Sequence, residues 1–211
     1  MQNDKTTTRS IPRSLRRVAG VTALAVTFTL ASSAVSHAQT VTPPSVPAGL
    51  EVLPPNQAFL VGHAFGSQNY ECQPTTSPGH VAWTLFTPQA TLFDDSFDQL
   101  ITHFNSPNPD EGNGAVVVRA TWQSSTDSSR FWAKATGAVT VDPTAIAWVR
   151  LQVVGTRRGP TGGDELSEST FVQRVNTKGG LAPTTGCDQL TDVGGKAFVP
   201  YTADYVFYRS N

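Results

Sequence analysis

Residues 119–132 bring together Arg119, Thr121, Gln123, Asp127, Arg130 and Trp132, side chains from which a binding surface can be assembled. An indole face stacks on a sugar ring, and a guanidinium fork grips a carboxylate. Arg119, Arg130, Asp127 and Trp132 on one sheet face would suit an acidic glycan or another small anionic ligand. The competing reading packs Trp132 beneath a loop and pairs Asp127 with Arg130. Arg174 is a further candidate, because it stands beside Gln173 in the middle of an apolar run, Phe171–Val175. It could reach a carboxylate such as Asp204, or hold a ligand in a cleft. For hydrolysis, the residue types point to His103 with Asp127, a base and an orienting acid.

These side chains need strands to aim them. Val116, Val118, Ala120 and Trp122 alternate with Val117, Arg119, Thr121 and Gln123, which predicts one face inward and one outward. Phe131, Ala133, Ala135, Gly137, Val139 and Val141 form a second inward row. The inward residues are even-numbered in the first strand and odd-numbered in the second. A hairpin therefore needs an even loop count, and Ser124–Ser129 supplies it, with Trp122 inward and Trp132 outward and exposed. Near the end of the chain Tyr201, Ala203, Tyr205 and Phe207 alternate in the same way.

Further strands are expected over 58–65, 69–73, 81–87, 90–93, 145–154 and 169–177. The 145–154 strand breaks its alternation at Trp148, which suits a position covered on both faces. Residues 95–104 place Phe97, Leu100, Ile101 and Phe104 at helical spacing and predict a short helix. Many short strands and at most one helix define an all-β chain, an antiparallel β-sandwich or barrel.

Several chemistries have no motif here. The sequence contains no Gly-x-Gly-x-x-Gly, Walker loop, His-Glu-x-x-His or Gly-x-Ser-x-Gly. No cofactor is expected. His63, His80 and His103 lie at no close ligand spacing, so no metal site is predicted. Asp110 and Glu111, beside Gly112-Asn113-Gly114, read as a solvated turn rather than a calcium loop.

The first 38 residues have the order of an export signal. Arg9, Arg13, Arg16 and Arg17 precede an uncharged run, Val18–Leu30, and Ser36-His37-Ala38 sets cleavage before Gln39. The apolar run is shorter than the ~20 residues of a membrane span. Removing residues 1–38 of the 211 leaves 173, enough for one domain. It also removes five of 15 basic residues and one of 16 acidic ones, leaving 10 against 15 and a net charge of −5. That balance disfavours nucleic acid as a partner. The domain plan is a signal peptide over 1–38, a Pro-rich linker over 39–57 and a single β-rich domain over 58–211. The product is expected to be soluble and secreted or periplasmic. In that compartment Cys72 and Cys187, separated by 115 residues, most simply form one disulfide; free thiols or a metal pair are the alternatives.

Several segments also carry a resemblance. Tyr70-Glu71-Cys72-Gln73, His103-Phe104, Ala120-Thr121-Trp122, Ala145–Trp148, Phe171–Asp188 and Val199–Tyr208 occur in this order in the exported bacterial and fungal domain-of-unknown-function family 3455. The chain resembles that family over roughly residues 46–208, departing from it at Ala147 and Val149-Arg150. The resemblance implies export and a shared fold and supplies no catalytic residues. The functional expectation is a non-catalytic extracytoplasmic binding or structural domain for a polysaccharide; the alternative is a secreted hydrolase using His103 and Asp127.

Overall fold

The computed structural model describes residues 41–211. The expected signal peptide and its cleavage point lie outside the described residues. Eight strands follow in chain order: β1 Asn56–Pro74, β2 Val81–Phe93, β3 Gln99–Asn108, β4 Val117–Ser124, β5 Arg130–Val139, β6 Trp148–Arg157, β7 Ser169–Gly179 and β8 Lys196–Ser210. Each pairs antiparallel with the next, and β8 pairs with β1, so the sheet closes into a barrel. The sandwich alternative is thereby set aside. Closure satisfies both edges of the sheet, which would otherwise present unpaired backbone groups.

Alternation builds the interior. Trp122 opposes Phe131, and Thr121 opposes Trp132, so the predicted hairpin register is the one found. The inner row of β8 meets β1 with Tyr205 opposite Gly62 and Tyr201 opposite Gly66. Gly66 is required here, since a Cβ would sit 2.1 Å from the Gln89 carbonyl oxygen on β2. Ile101, Trp122, Phe131, Val172, Tyr205 and Phe207 are almost wholly buried and fill the barrel. Leu166, from the β6–β7 connection, joins this cluster, and its backbone N–H is held by Ser129 Oγ at 3.0 Å.

Of three expectations, two are corrected, and the second, on the Pro-rich stretch whose Val46, Leu50 and Val52 are apolar enough to touch the body, is filled in. Residues 95–104 form no helix. Asp94 Oδ1 accepts from the N–H groups of Ser96 and Asp98 at 2.8 and 2.9 Å, which closes a turn in place of a helical start. Phe97 then adopts φ 65°, and β3 begins at Gln99 with Ile101 and His103 inward. The Pro-rich stretch, second, is not loosely attached. Leu50 is buried, and Val41, Val46 and Val52 pack outside the barrel against Val175, Val206 and Tyr208. Gln173 ties it further, accepting from Tyr208 Oη and donating to the Leu50 carbonyl. Third, β6 starts only at Trp148, and it is half-buried rather than covered on both faces.

Cys72 and Cys187 form a disulfide with Cα atoms 5.5 Å apart. It links β1 to the segment between β7 and β8. The helical content of the described residues is one 3-10 turn, Leu190–Asp192.

Candidate functional site in the barrel interior

Of the residues expected on one outer face, Trp132, Arg119 and Asp127 are engaged within the protein. Trp132 is outward, as its parity demands, yet only 3% exposed. Its Nε1–H donates to Ser106 Oγ at 2.8 Å, and Ser106 in turn bonds Thr121 Oγ1 at 2.8 Å. The indole therefore offers no face for sugar. Arg119 is spent on Glu111, with Nε to Oε2 at 2.8 Å and Nη2 to Oε1 at 3.0 Å. That fork and the Asn108 amide hold the Glu111 carboxyl down at about 2. Arg130 opposes Arg157 across the β5–β6 ladder, and its buried Nε finds no partner among the described residues.

Asp127 does not pair with Arg130. Its Oδ1 accepts from Ser129 N–H and Oγ–H at 2.8 and 2.6 Å, and its Oδ2 from Glu165 N–H at 2.9 Å. Burial opposes its charge, but the bonds to Ser129, Glu165 and Ser124 prevail and set it at about 2. It fastens the β4–β5 loop to the β6–β7 connection, with no described bond to His103.

Inside the barrel a different arrangement appears. Arg174 opposes Val149 on β6 and Tyr205 on β8, which turns its side chain inward. It does not reach Asp204, which faces outward and bonds His63 and Asn176. Arg174 Nε and Nη2 donate instead to the Ala147 carbonyl at 3.2 and 2.9 Å. Among the described residues it makes no salt bridge. A guanidinium facing a barrel interior without a carboxylate is unusual, because desolvating a charge is costly.

A cavity of about 120 Å³ opens beside it, lined by Gln68, His103, Asn105, Trp122, Arg174 and Tyr205 among others. Two of its lining rings are packed together: His103 and Trp122 stack at 4.1 Å with 11° between their planes, and Phe131 stacks on the same indole at 5.1 Å. Burial first of all, against the bond to the Thr121 carbonyl, lowers the His103 pKa to about 3. The ring is therefore neutral near pH 7. Nδ1–H donates to Thr121 O at 2.9 Å, so Nε2 carries the lone pair. Burial also raises the Tyr201 and Tyr205 phenols, which stay protonated and touch each other at 3.1 Å. Among the described residues, Arg174 is thus the one charged group on the cavity wall.

Two further donors are unspent. Trp122 Nε1 and Gln68 Nε2 are buried and find no partner among the described residues. Gln68 comes near enough to Tyr201 to influence its phenol, but its Nε2 completes no hydrogen bond of sound geometry. An orphaned buried donor costs roughly 1–3 kcal/mol, so such groups normally acquire partners.

The sequence singled out Arg174 but not the company it keeps. Trp122 reads as core from its alternation, and Gln68 carries no signal of its own.

Fold and interior together define a closed, eight-stranded antiparallel barrel with a mainly apolar pocket, walled by Leu85, Val149 and Leu151 among others, into which one guanidinium projects. Barrels of this size have room for side chains or for one small ligand. Within that class, the chain belongs to the family of proteins of unknown function DUF3455, which it matches over residues 54–209. No curated protein and no solved structure matches it.

Proposed function

We propose that the protein is an exported binding domain whose barrel interior holds a small anionic ligand on Arg174. The observation that carries this reading is an inward guanidinium that makes no salt bridge among the described residues and lies beside two unpartnered N–H donors. A carboxylate would accept from Arg174 in a charge-assisted pair and from Trp122 Nε1 or Gln68 Nε2. The volume sets the scale, since a cavity of ~150 Å³ accepts benzene. Export is supported by the basic, apolar and small-residue order of residues 1–38 and by the disulfide, which belongs to an oxidising compartment. With Trp132 buried, polysaccharide loses the platform that first suggested it.

The test is titration of the purified protein with formate, acetate and benzoate, followed by tryptophan fluorescence and calorimetry. Saturable one-to-one binding is expected for at least one anion. Arg174→Met should weaken it at least ~30-fold, the loss of about 2 kcal/mol for one partner of a buried charge pair. No binding across the panel, or equal binding by the variant, rejects the assignment.

A further inference from the structure

A second site lies on the outside of the barrel. His63 on β1 is opposite Asp204 on β8, and Nδ1–H donates to Asp204 Oδ1 at 2.7 Å. The other Asp204 oxygen accepts from Asn176 Nδ2 at 2.7 Å. Asn176 sits in the left-handed region, φ 51°, where β7 slips register between Val175 and Lys178. Bulges and strained residues of this kind re-aim side chains and concentrate at functional sites. The result is a chain, Asn176–Asp204–His63, in which the imidazole is held by an acid that is itself held.

The far nitrogen of His63 faces a groove of about 630 Å³ between β1, the end of β7, β8 and the Asp94–Asp98 turn. Nε2 meets Asp95 Oδ1 at 3.0 Å, but that carboxylate is 96% exposed and can swing away without unpacking anything. Phe65 and Phe97 border the groove and are both exposed, Phe97 in a left-handed conformation that bulky residues avoid. Lys178 supplies positive charge on the same wall.

We propose that His63 is a general base in this groove and hydrolyses esters with an apolar acyl or alkoxy part, with Asp204 and Asn176 as positioning residues. As a water oxygen attacks the ester carbonyl carbon, His63 Nε2 takes the water proton. The tetrahedral intermediate then collapses, and its C–O bond to the alcohol breaks. The leaving alkoxide takes the proton back from Nε2, giving a carboxylic acid and an alcohol. Asp204 balances the transient imidazolium charge, and Phe65 and Phe97 bed the apolar part.

The charged groups facing His63 are Asp204 on β8, Asp94 and Asp95 on the turn, and Lys178 on β7. The two carboxylate bonds, that to Asp204 foremost, outweigh burial and raise its pKa. The base form therefore appears as pH rises through a value above the ordinary one.

The probe is p-nitrophenyl butyrate with the full-length secreted protein, and kcat/KM is followed from pH 5 to 9. Turnover should be saturable and exceed that of the same concentration of free imidazole. His63→Gln, with an unchanged circular-dichroism spectrum, should lose about 100-fold, the lower end of what a placed base contributes. Asp204→Asn removes the group that raises the pKa, so the alkaline rise of kcat/KM should move to lower pH as the plateau falls. A purely structural Asp204 would leave the midpoint in place. Wild-type turnover no faster than imidazole, His63→Gln at wild-type rate, or an unmoved midpoint in Asp204→Asn each overturns the proposal.

Discussion

The imidazole of His103 lies flat against the indole of Trp122, ring centres 4.1 Å apart, inside a closed barrel. The contact joins β3 to β4 and continues to Phe131 at 5.1 Å and to Tyr205 at 5.6 Å. His103 is thus part of the packing as much as of the cavity wall, and its neutrality is a structural requirement.

That requirement gives a pH dependence. The folded-state pKa of His103 is depressed to about 3, while the unfolded chain titrates near 6.5. Below 6.5 the unfolded state binds a proton that the native state refuses, so stability falls as pH drops from about 6.5 toward 3. Denaturant unfolding at pH 7 and pH 5 should differ by about 1–2 kcal/mol from this group. His103→Gln should flatten the difference; an equally steep acid limb in that variant refutes the assignment.

Trp132 is expected to report on stability and not on binding. It is 3% exposed and bonded to Ser106. Trp132→Ala should cost about 3–5 kcal/mol, as aromatic deletions in packed sites do. Affinity for small anions, measured well below the new melting temperature, should be unchanged.

Leu50 tests whether the Pro-rich stretch is part of the folded domain. Its side chain is 1% exposed, and its carbonyl receives the Gln173 amide. Leu50→Ala should lower stability by about 2–4 kcal/mol in denaturant unfolding. A loss below roughly 0.5 kcal/mol would return this stretch to the status of a linker.

The disulfide closes a loop across a sequence separation of 115 residues. Replacing Cys72 and Cys187 together by serine should destabilise by up to about 4–5 kcal/mol on the loop-entropy account. Urea midpoints of the oxidised wild type and the double variant provide the measure, and coincident midpoints would contradict it.

Period-two alternation made most of the fold legible. It placed β4, β5 and β8 and set the register that puts Trp122 opposite Phe131, but it overran the interior: Val116, Val118, Ala135 and Val141, expected inward, are exposed, and β5 shifts register between Ala135 and Gly137. It failed at residues 95–104, where spacing three and four apart imitated a helix and the side chain of Asp94 closed a turn instead. It also could not tell outward from exposed. Trp132 has the right parity, but Ser106 approaches from the next strand but one, and no local pattern reports that. Arg174 was visible as an anomaly. Its surroundings were not, because Gln68, His103 and Tyr205 meet it only once the sheet has closed. His63 gave even less: its partners Asp95 and Asp204 lie 32 and 141 residues away.

Seven of the eight ladders join consecutive strands, and β1 with β8 is the eighth. Consecutive pairings form between near neighbours in the chain, so only the final seam must gather distant ends. The Cys72–Cys187 link sits at that seam, since Cys72 lies in β1 and Cys187 just ahead of β8. Oxidation early in folding would shorten the search that shuts the ring. Reduced chains should then zip seven ladders readily and linger as an open, curled ribbon with two sticky rims.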